Sequence, residues 1–556
     1  MKNKNTVLLI VSCLIALPLH AASLSNLTAF EDVAIQENGR SKPMLVFALE
    51  TLRSLYGKDQ WKDPVTGEKI PALNVVTELA FHPEKWTDKA LLRLDNLKLK
   101  KELGLPLDEK YFSYNKLTES DKLEDFLKQV QAHRDKRSKE KLEPILEAAK
   151  GVGIKLEIFE SMAGGHSWTL VPHPSDPHAS WATFSDTSKF YTPEQLSQAT
   201  LLFQKFIEGY MENNQAKFDA ACLELTPALR QLSPTVYPAD SILKLEHLYA
   251  EVHPFRLAWI AYLCTIVILA ATSLKGREIG YKAGWFFALL GFALQIAGFV
   301  VRTIISGRAP VTNMYETVIW LGFGVMLFAL IFEGIYRCRY FLLGAAPIAV
   351  GSLILADSLP AVLNSGIHPL VPVLRHNFWL TTHVLTITSS YAAFALALGV
   401  GHIILGKSLL KKPVSAALHQ YLYRAIQIGV LLLGVGTLLG AVWANYSWGR
   451  FWDWDPKETW ALIAFLSYVA LLHGRLAGWW GGFGLAIGSI LAFLCILMAW
   501  YGVNFILGTG LHSYGFGAGG LEYVILFALA EIAFVVFALI MKKRGEINTK
   551  NQESEV

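Results

Sequence analysis

The residue types best suited to chemistry crowd into one short stretch, Trp448–Trp460 (WGRFWDWDPKETW). There four tryptophans and a phenylalanine alternate with charged side chains. Long apolar runs flank it on both sides. Tryptophan gathers at membrane–water boundaries for its amphipathic ring alone, so isolated indoles there carry no functional meaning. Such belts place one or two per helix end. A cluster this dense instead makes a rigid aromatic platform edged with charge, which suits a large planar ligand.

Histidines bracket the platform. His383 lies in WLTTHV and His512 in GLHSYG, a glycine-rich setting whose backbone can approach a ligand closely. Ionisable groups in membrane spans are costly enough that function is the default reading. Two neutral imidazoles facing each other across a flat aromatic floor would ligate a haem iron axially. Singly, each reads as an interfacial histidine bonded to backbone or water, and His368 and His376 are rivals for the first position. His473 ends a span in LLHGR, about 22 Å from the tryptophan stretch at the helical rise. It therefore belongs to a second, deeper station. His402 and His419 lie by basic loops and read as interfacial.

The elements that position these residues are apolar runs of spanning length. They fall at about Leu257–Leu274, Ala283–Arg302, Thr317–Ile335, Tyr340–Ala356, Phe378–Gly406, Ala425–Tyr446, Thr459–His473, Gly482–Asn504 and Leu521–Met541. Nine helices are expected, since a spanning backbone must satisfy its own hydrogen bonds. Basic residues set the orientation. One set of loops carries Lys275, Arg277 and Lys282; Arg337 and Arg339; Lys407, Lys411, Lys412 and Arg424; Arg475; and Lys542, Lys543 and Arg544. The opposite set carries Arg302 and Arg308, Arg375, Arg450 and Lys457, the last two offset by acids. The first set is expected inside, which puts the tryptophan stretch outside and the tail 542–556 in the cytoplasm. The expected location is a bacterial inner membrane, with the tryptophan stretch on its periplasmic side.

Residues 1–22 read as a signal peptide, with an uncleaved anchor as the alternative: Lys2 and Lys4, an apolar run, then His20-Ala21-Ala22. The domain 23–255 is expected to be exported, mixed and helix-rich. Helical patterning appears at Pro43–Leu55 (with Pro43 in the first turn), Glu119–Gln131, Lys139–Lys150 and Gln195–Glu212. Gly153–Phe159 and Ser167–Val171 read as short strands, and Trp181–Tyr191 as a loop. His166, His173 and His178 are irregularly spaced and read as solvated loop histidines. The fold class is thus an all-α polytopic membrane protein preceded by an exported soluble domain, with the membrane part over 257–541.

Composition excludes several classes. A net charge of +4 gives no case for nucleic acid. Five cysteines form no CxxC pair and no CxxCH, which leaves no zinc spacing and no covalent c-type haem carried by the chain itself.

With WGRFWDWDPKETWAL, a histidine-ended helix and GLHSYGF in order, the stretch from about Leu257 to Met541 closely resembles the CcsA (ResC) family of cytochrome c biogenesis proteins. The tryptophan-rich WWD motif is shared with haem transfer proteins of the other maturation system; the PKETWAL continuation looks like the CcsA branch. The resemblance implies a cytochrome c haem lyase or synthetase that holds haem b at the outer face. His383 and His512 would be its axial ligands, and His473 would match an intramembrane histidine. Trp448, Trp452 and Trp454 would lie beside the haem edge. Asp453, Asp455, Lys457 and Glu458 would steer propionates or peptide, or stand solvated; the solvated reading is favoured for Glu458, and both stay open for the aspartates. Apocytochrome c is the implied partner, together with a CcsB/ResB-like membrane protein, because only one apolar run precedes residue 257. A quinone-linked b-type cytochrome and a non-haem multi-span transporter are the alternative functions.

Overall fold

In lipid a backbone has only itself to bond to, and each of the nine apolar runs closes its hydrogen bonds as a helix. The computed structural model describes residues 24, 26–135, 142–273, 278–338, 340–359, 362–370, 376–507 and 520–554. The signal-like start and His512 lie outside the described residues. Among the described residues, nine helices are long and apolar enough to cross a membrane. They are α1 (Pro254–Ser273), α2 (Glu278–Ser306), α3 (Met314–Tyr336), α4 (Tyr340–Ser358), α5 (Asn377–Leu409), α6 (Ala416–Trp448), α7 (Pro456–Leu476), α8 (Gly482–Leu507) and α9 (Leu521–Ser554). The expected all-α polytopic class is what the chain adopts. Several helices outrun their apolar cores: α2 runs from Glu278 to Ser306, α6 starts earlier at a Ser415 cap, α7 starts at Pro456, and α9 continues to Ser554.

The chain separates into two units, Met1–Gln129 with Ala148–His247, and Val130–Glu147 with Leu248–Val556. In the first, three small antiparallel hairpins accompany the helices: Ala34–Glu37 with Arg40–Pro43, Gln60–Lys62 with Lys69–Pro71, and Leu92–Arg93 with Tyr111–Phe112. The first turns on Asn38-Gly39, both at positive φ, the pairing that a two-residue hairpin favours. Pro43 ends that hairpin and precedes the helix Met44–Tyr56 instead of opening it. Two expected strands are absent. Gly153–Phe159 lies inside the helix Pro144–Ala163, because its apolar residues Val152, Leu156 and Phe159 recur at helical spacing and are buried. Ser167–Val171 makes only the single bridge Val171–Ala182. His173 accepts from the Asp176 N–H (2.9 Å). Among the described residues no group of three His, Cys, Asp or Glu side chains is placed to hold a metal ion.

In the second unit α5 is the central helix, packed against α3, α4, α6, α8 and α9, with 67% of its apolar window buried. Small residues permit this. A Cβ on Gly399 would lie 2.3 Å from the Gly344 carbonyl oxygen, so α4 and α5 touch backbone to backbone.

Candidate functional site

The tryptophan-rich stretch is the connection between α6 and α7, and its sequence writes both helix ends. Gly449, at φ +74°, closes α6 by donating its N–H to the Asn445 carbonyl (2.8 Å). Asp455 caps α7, accepting from the Lys457 and Glu458 N–H groups (2.9 Å each), with Pro456 in the first turn. Glu458 answers by accepting from the N–H groups of Asp453 (2.7 Å) and Asp455 (3.4 Å), completing a capping box. The Asp453 side chain pairs with Arg450. A cap of this kind contributes about 1 kcal/mol. The two aspartates, expected at the ligand, hold the loop in shape. Trp454 stands at φ +58° and is 70% exposed, its ring edge-on to Trp452 at 5.7 Å.

Inside this connection lies a largely apolar cavity. From α6 and the connection it takes Trp443, Trp448, Phe451 and Trp452; from α7, Lys457 and Glu458; from α5, His383 and Tyr391. The α3 end contributes Val311 through Met314 and Thr317, and α8 contributes Trp500 and Asn504. Two lining segments are π-helical, Leu380–Val384 and Met498–Leu507. Such widened turns recur at functional sites, where they re-aim side chains out of the regular register. The first carries His383. Its Nδ1 is 2.8 Å from the Gly436 carbonyl oxygen. A carbonyl only accepts, so Nδ1 is the donor; in the neutral ring that leaves the lone pair on Nε2, the arrangement of a metal-ligating imidazole. The ring is held closely: a Cβ on Gly440 would lie 2.6 Å from His383 Cε1, and the Trp443 ring is 5.7 Å away. In the second π-helical segment, Trp500 donates to Thr317 Oγ1 (3.0 Å). Asn504 donates to the Trp500 carbonyl (2.8 Å) and accepts from Lys457 Nζ (3.4 Å).

The α3 wall is fixed by charge. Arg302 of α2, counted from sequence as a loop cation, is completely buried. It donates Nε to Glu316 (2.8 Å) and Nη1 to the Ser365 carbonyl (2.8 Å). The other Glu316 oxygen accepts from the N–H (2.7 Å) and hydroxyl (2.6 Å) of Thr312. Asn313 caps α3 by accepting from the Glu316 N–H (2.8 Å). Val311–Asn313 is therefore a shaped wall, tied at one end to α2 and at the other to α3.

Of the residues singled out from sequence, His383, Trp448 and Trp452 meet in the cavity; Trp454, Asp453 and Asp455 do not line it. Neither His368 nor His376 reaches it: His368 lies 3.3 Å from Asn364, and His376 is edge-on to Tyr446. His473 is in the last turn of α7, at the opposite end from the cap, with Nδ1 on the Val469 carbonyl (2.9 Å). His402, expected as interfacial, instead pairs with Glu531 of α9 (3.0 Å) and stacks on Phe534. Glu458, expected as solvated, both lines the cavity and closes the capping box. Trp443, Trp500, Asn504 and the α3 wall carry no mark in the sequence. The D-P-x-E capping signature was readable there as the start of α7.

A model of the family described as Cytochrome C assembly protein matches residues 311–512, a range that contains every cavity-lining residue. Protein NrfI of Wolinella succinogenes is 30% identical over 520 residues, covering 88% of this chain and 54% of NrfI. That alignment takes in more than the membrane half, and the chain spans about half of NrfI's length. The cytochrome c biogenesis protein CcsA of Chlorella vulgaris is 33% identical over 303 residues, 46% of this chain and 94% of that protein. CcsA of Prochlorococcus marinus is 35% identical over 297 residues, 47% of this chain and 93% of its own length.

Proposed function

This multi-pass membrane chain belongs to the CcsA family of cytochrome c biogenesis proteins, and we propose that its cavity holds haem b as cargo and presents it to apocytochrome c. One observation carries the reading. His383 has its Nδ1 proton on a backbone carbonyl and its ring against Gly440, in a cavity walled by Trp443, Trp452 and Trp500. The lining fits a porphyrin: an imidazole for the iron, flat aromatic walls for the ring, and buried indole N–H groups on Trp443 and Trp452 that have no acceptor among the described residues. In this reading His512 is the second axial ligand, and His473 serves a deeper station used in transit. The cavity faces the periplasm and the C-terminus the cytoplasm, following the basic loops.

The haem supplies two vinyl groups to the cysteine thiols of a CxxCH segment. Each thiol adds sulfur to one vinyl carbon and hydrogen to the other, so nothing leaves and no oxidant is consumed. The chain's own residues orient: His383 sets the ring's height, the tryptophan walls exclude water, and Arg302 with Glu316 holds the wall opposite. Proximity then supplies much of the acceleration, since a fixed ring and a docked peptide turn a multi-body encounter into a local one. A CcsB/ResB-like membrane protein completes the haem lyase, and residues 23–255 dock that partner or the apocytochrome.

Purification of the full chain with its membrane partner in mild detergent is the direct test. A Soret band typical of histidine-ligated b haem is expected, and deletion should lower every c-type cytochrome in the cell. Colourless wild-type complex would overturn the reading. A finer outcome follows from the 2.6 Å approach at Gly440. Gly440→Val is expected to displace the imidazole and lower haem retained per protein about tenfold, in line with overpacking costs of about 1–3 kcal/mol. Absorbance per mole of folded protein measures it.

A further inference from the structure

Lys457 is a cation on the cavity wall that, among the described residues, makes no salt bridge; the Asp455 carboxylate two residues before it acts on it only through space. It stands in the first turn of α7, where the helix dipole is positive and disfavours a positive side chain. Among the described residues no carboxylate pairs with its ammonium, and its one hydrogen bond is to Asn504 Oδ1 at 3.4 Å. The hydrogen bonds of the nearby acids go elsewhere than to the ammonium: Asp455 caps the backbone N–H groups of Lys457 and Glu458 and reaches the ammonium only as a field, Glu458 accepts from the N–H groups of Asp453 and Asp455, and Asp453 pairs with Arg450. Residues 360–361, 371–375 and 508–519 contain no Asp or Glu, so those segments have no counter-charge to offer either. An ammonium on an apolar wall without a partner is costly unless a ligand brings the anion. The Trp452 indole N–H, a donor only, is buried on the same cavity without an acceptor among the described residues. Trp259 and Trp320 also carry unaccepted N–H groups, so the indoles alone decide nothing. The ammonium decides it.

We propose that Lys457, positioned by Asn504 and flanked on the cavity wall by the Trp452 indole N–H, is the receptor for a carboxylate of the porphyrin. This rests on the reading of the cavity as a haem site. Asn504 serves by holding the ammonium on Oδ1 while its own amide is anchored to the Trp500 carbonyl. The consequence is orientational. A ring held only by its iron turns freely about the axial bond. A propionate fixed on Lys457 stops that rotation and determines which edge, with its vinyl groups, is offered to the apocytochrome.

The test compares haem with haem dimethyl ester, in which the propionates are uncharged, on the full chain with its partner after removal of endogenous haem. Soret titrations of wild type, Lys457→Met and Lys457→Arg give six affinities. Wild type is expected to bind the diacid at least about tenfold more tightly than the ester, the scale of a hydrogen bond to a charged group. Lys457→Met should lose that preference by weakening the diacid alone, with an unchanged Soret maximum at saturation, and Lys457→Arg should keep it. Equal weakening of both porphyrins in Lys457→Met, or an undiminished preference, overturns the carboxylate receptor while leaving the haem site standing. Wild-type protein that binds neither porphyrin overturns the haem reading itself, and this inference with it.

Discussion

His383→Ala is expected to strip the protein of haem and to stop cytochrome c maturation, the largest functional effect of any single substitution in the cavity. Changing a group that merely supports a metal ligand costs about 10–100-fold in affinity. Removing the ligand itself should exceed that range. The fold has little reason to fail. The Gly436 carbonyl that receives the His383 proton belongs to the interior of α6, where it keeps its place in the helical hydrogen-bond ladder. The space vacated beside Gly440 is shaped for an imidazole ring. Free imidazole at millimolar concentration should therefore restore part of the Soret band and part of the maturation. Rescue of that kind separates a lost ligand from a lost fold. A variant that keeps wild-type haem content and an unshifted Soret maximum would remove His383 from the site and reopen the choice of ligand.

Arg302→Ala is expected to produce the largest loss of stability. The guanidinium is completely buried, and its removal leaves the Glu316 carboxylate buried with only the Thr312 donors, and the Ser365 carbonyl without its donor. Breaking a buried ion pair on one side costs about 3–5 kcal/mol. The loss should appear as a lower midpoint of thermal unfolding in detergent and a poor folded yield. Because Thr312 and Asn313 form part of the cavity wall, the folded remainder should also hold less haem. Replacing both partners, as Arg302→Met with Glu316→Leu, should recover most of the stability, since apolar side chains of similar volume often substitute for a buried pair without loss. Haem retention need not return with it, because the Thr312 contacts that shape the wall go with Glu316. A stability within about 1 kcal/mol of wild type for Arg302→Ala would show that the pair is not the tie described.

Some of this site is written locally. The connection Trp448–Trp460 carries its own instructions: Gly449 to stop α6, and Asp455-Pro456 with Glu458 to start α7. Its composition marks an aromatic platform before any coordinates are known. Composition does not show how the roles divide within it. Asp453 and Asp455 look like ligand-binding acids and are the loop's braces, while Trp454 turns outward and Trp452 inward. Which way a side chain faces in a short loop depends on backbone dihedrals such as the φ of +58° at Trp454, and composition does not carry those.

The first unit teaches the same lesson from the other side. Gly153–Phe159 has strand-like residues, but the helix that runs through it buries Val152, Leu156 and Phe159 on one face. Position within a longer periodic pattern outweighs local propensity there.

By itself the sequence determined the nine helices that, among the described residues, are long and apolar enough to cross a membrane, and one aromatic connection with candidate histidines on both sides of it. It could do so because a backbone in lipid must bond within its own helix, which makes each span a property of a single run of residues. Tertiary structure alone decided which side chains share the cavity. In a membrane bundle the lipid-facing and protein-facing sides of a helix are both apolar, so periodicity does not reveal the inward face. Met314, Trp443, Trp500 and Asn504 became neighbours of His383 only when α3, α6 and α8 packed around α5.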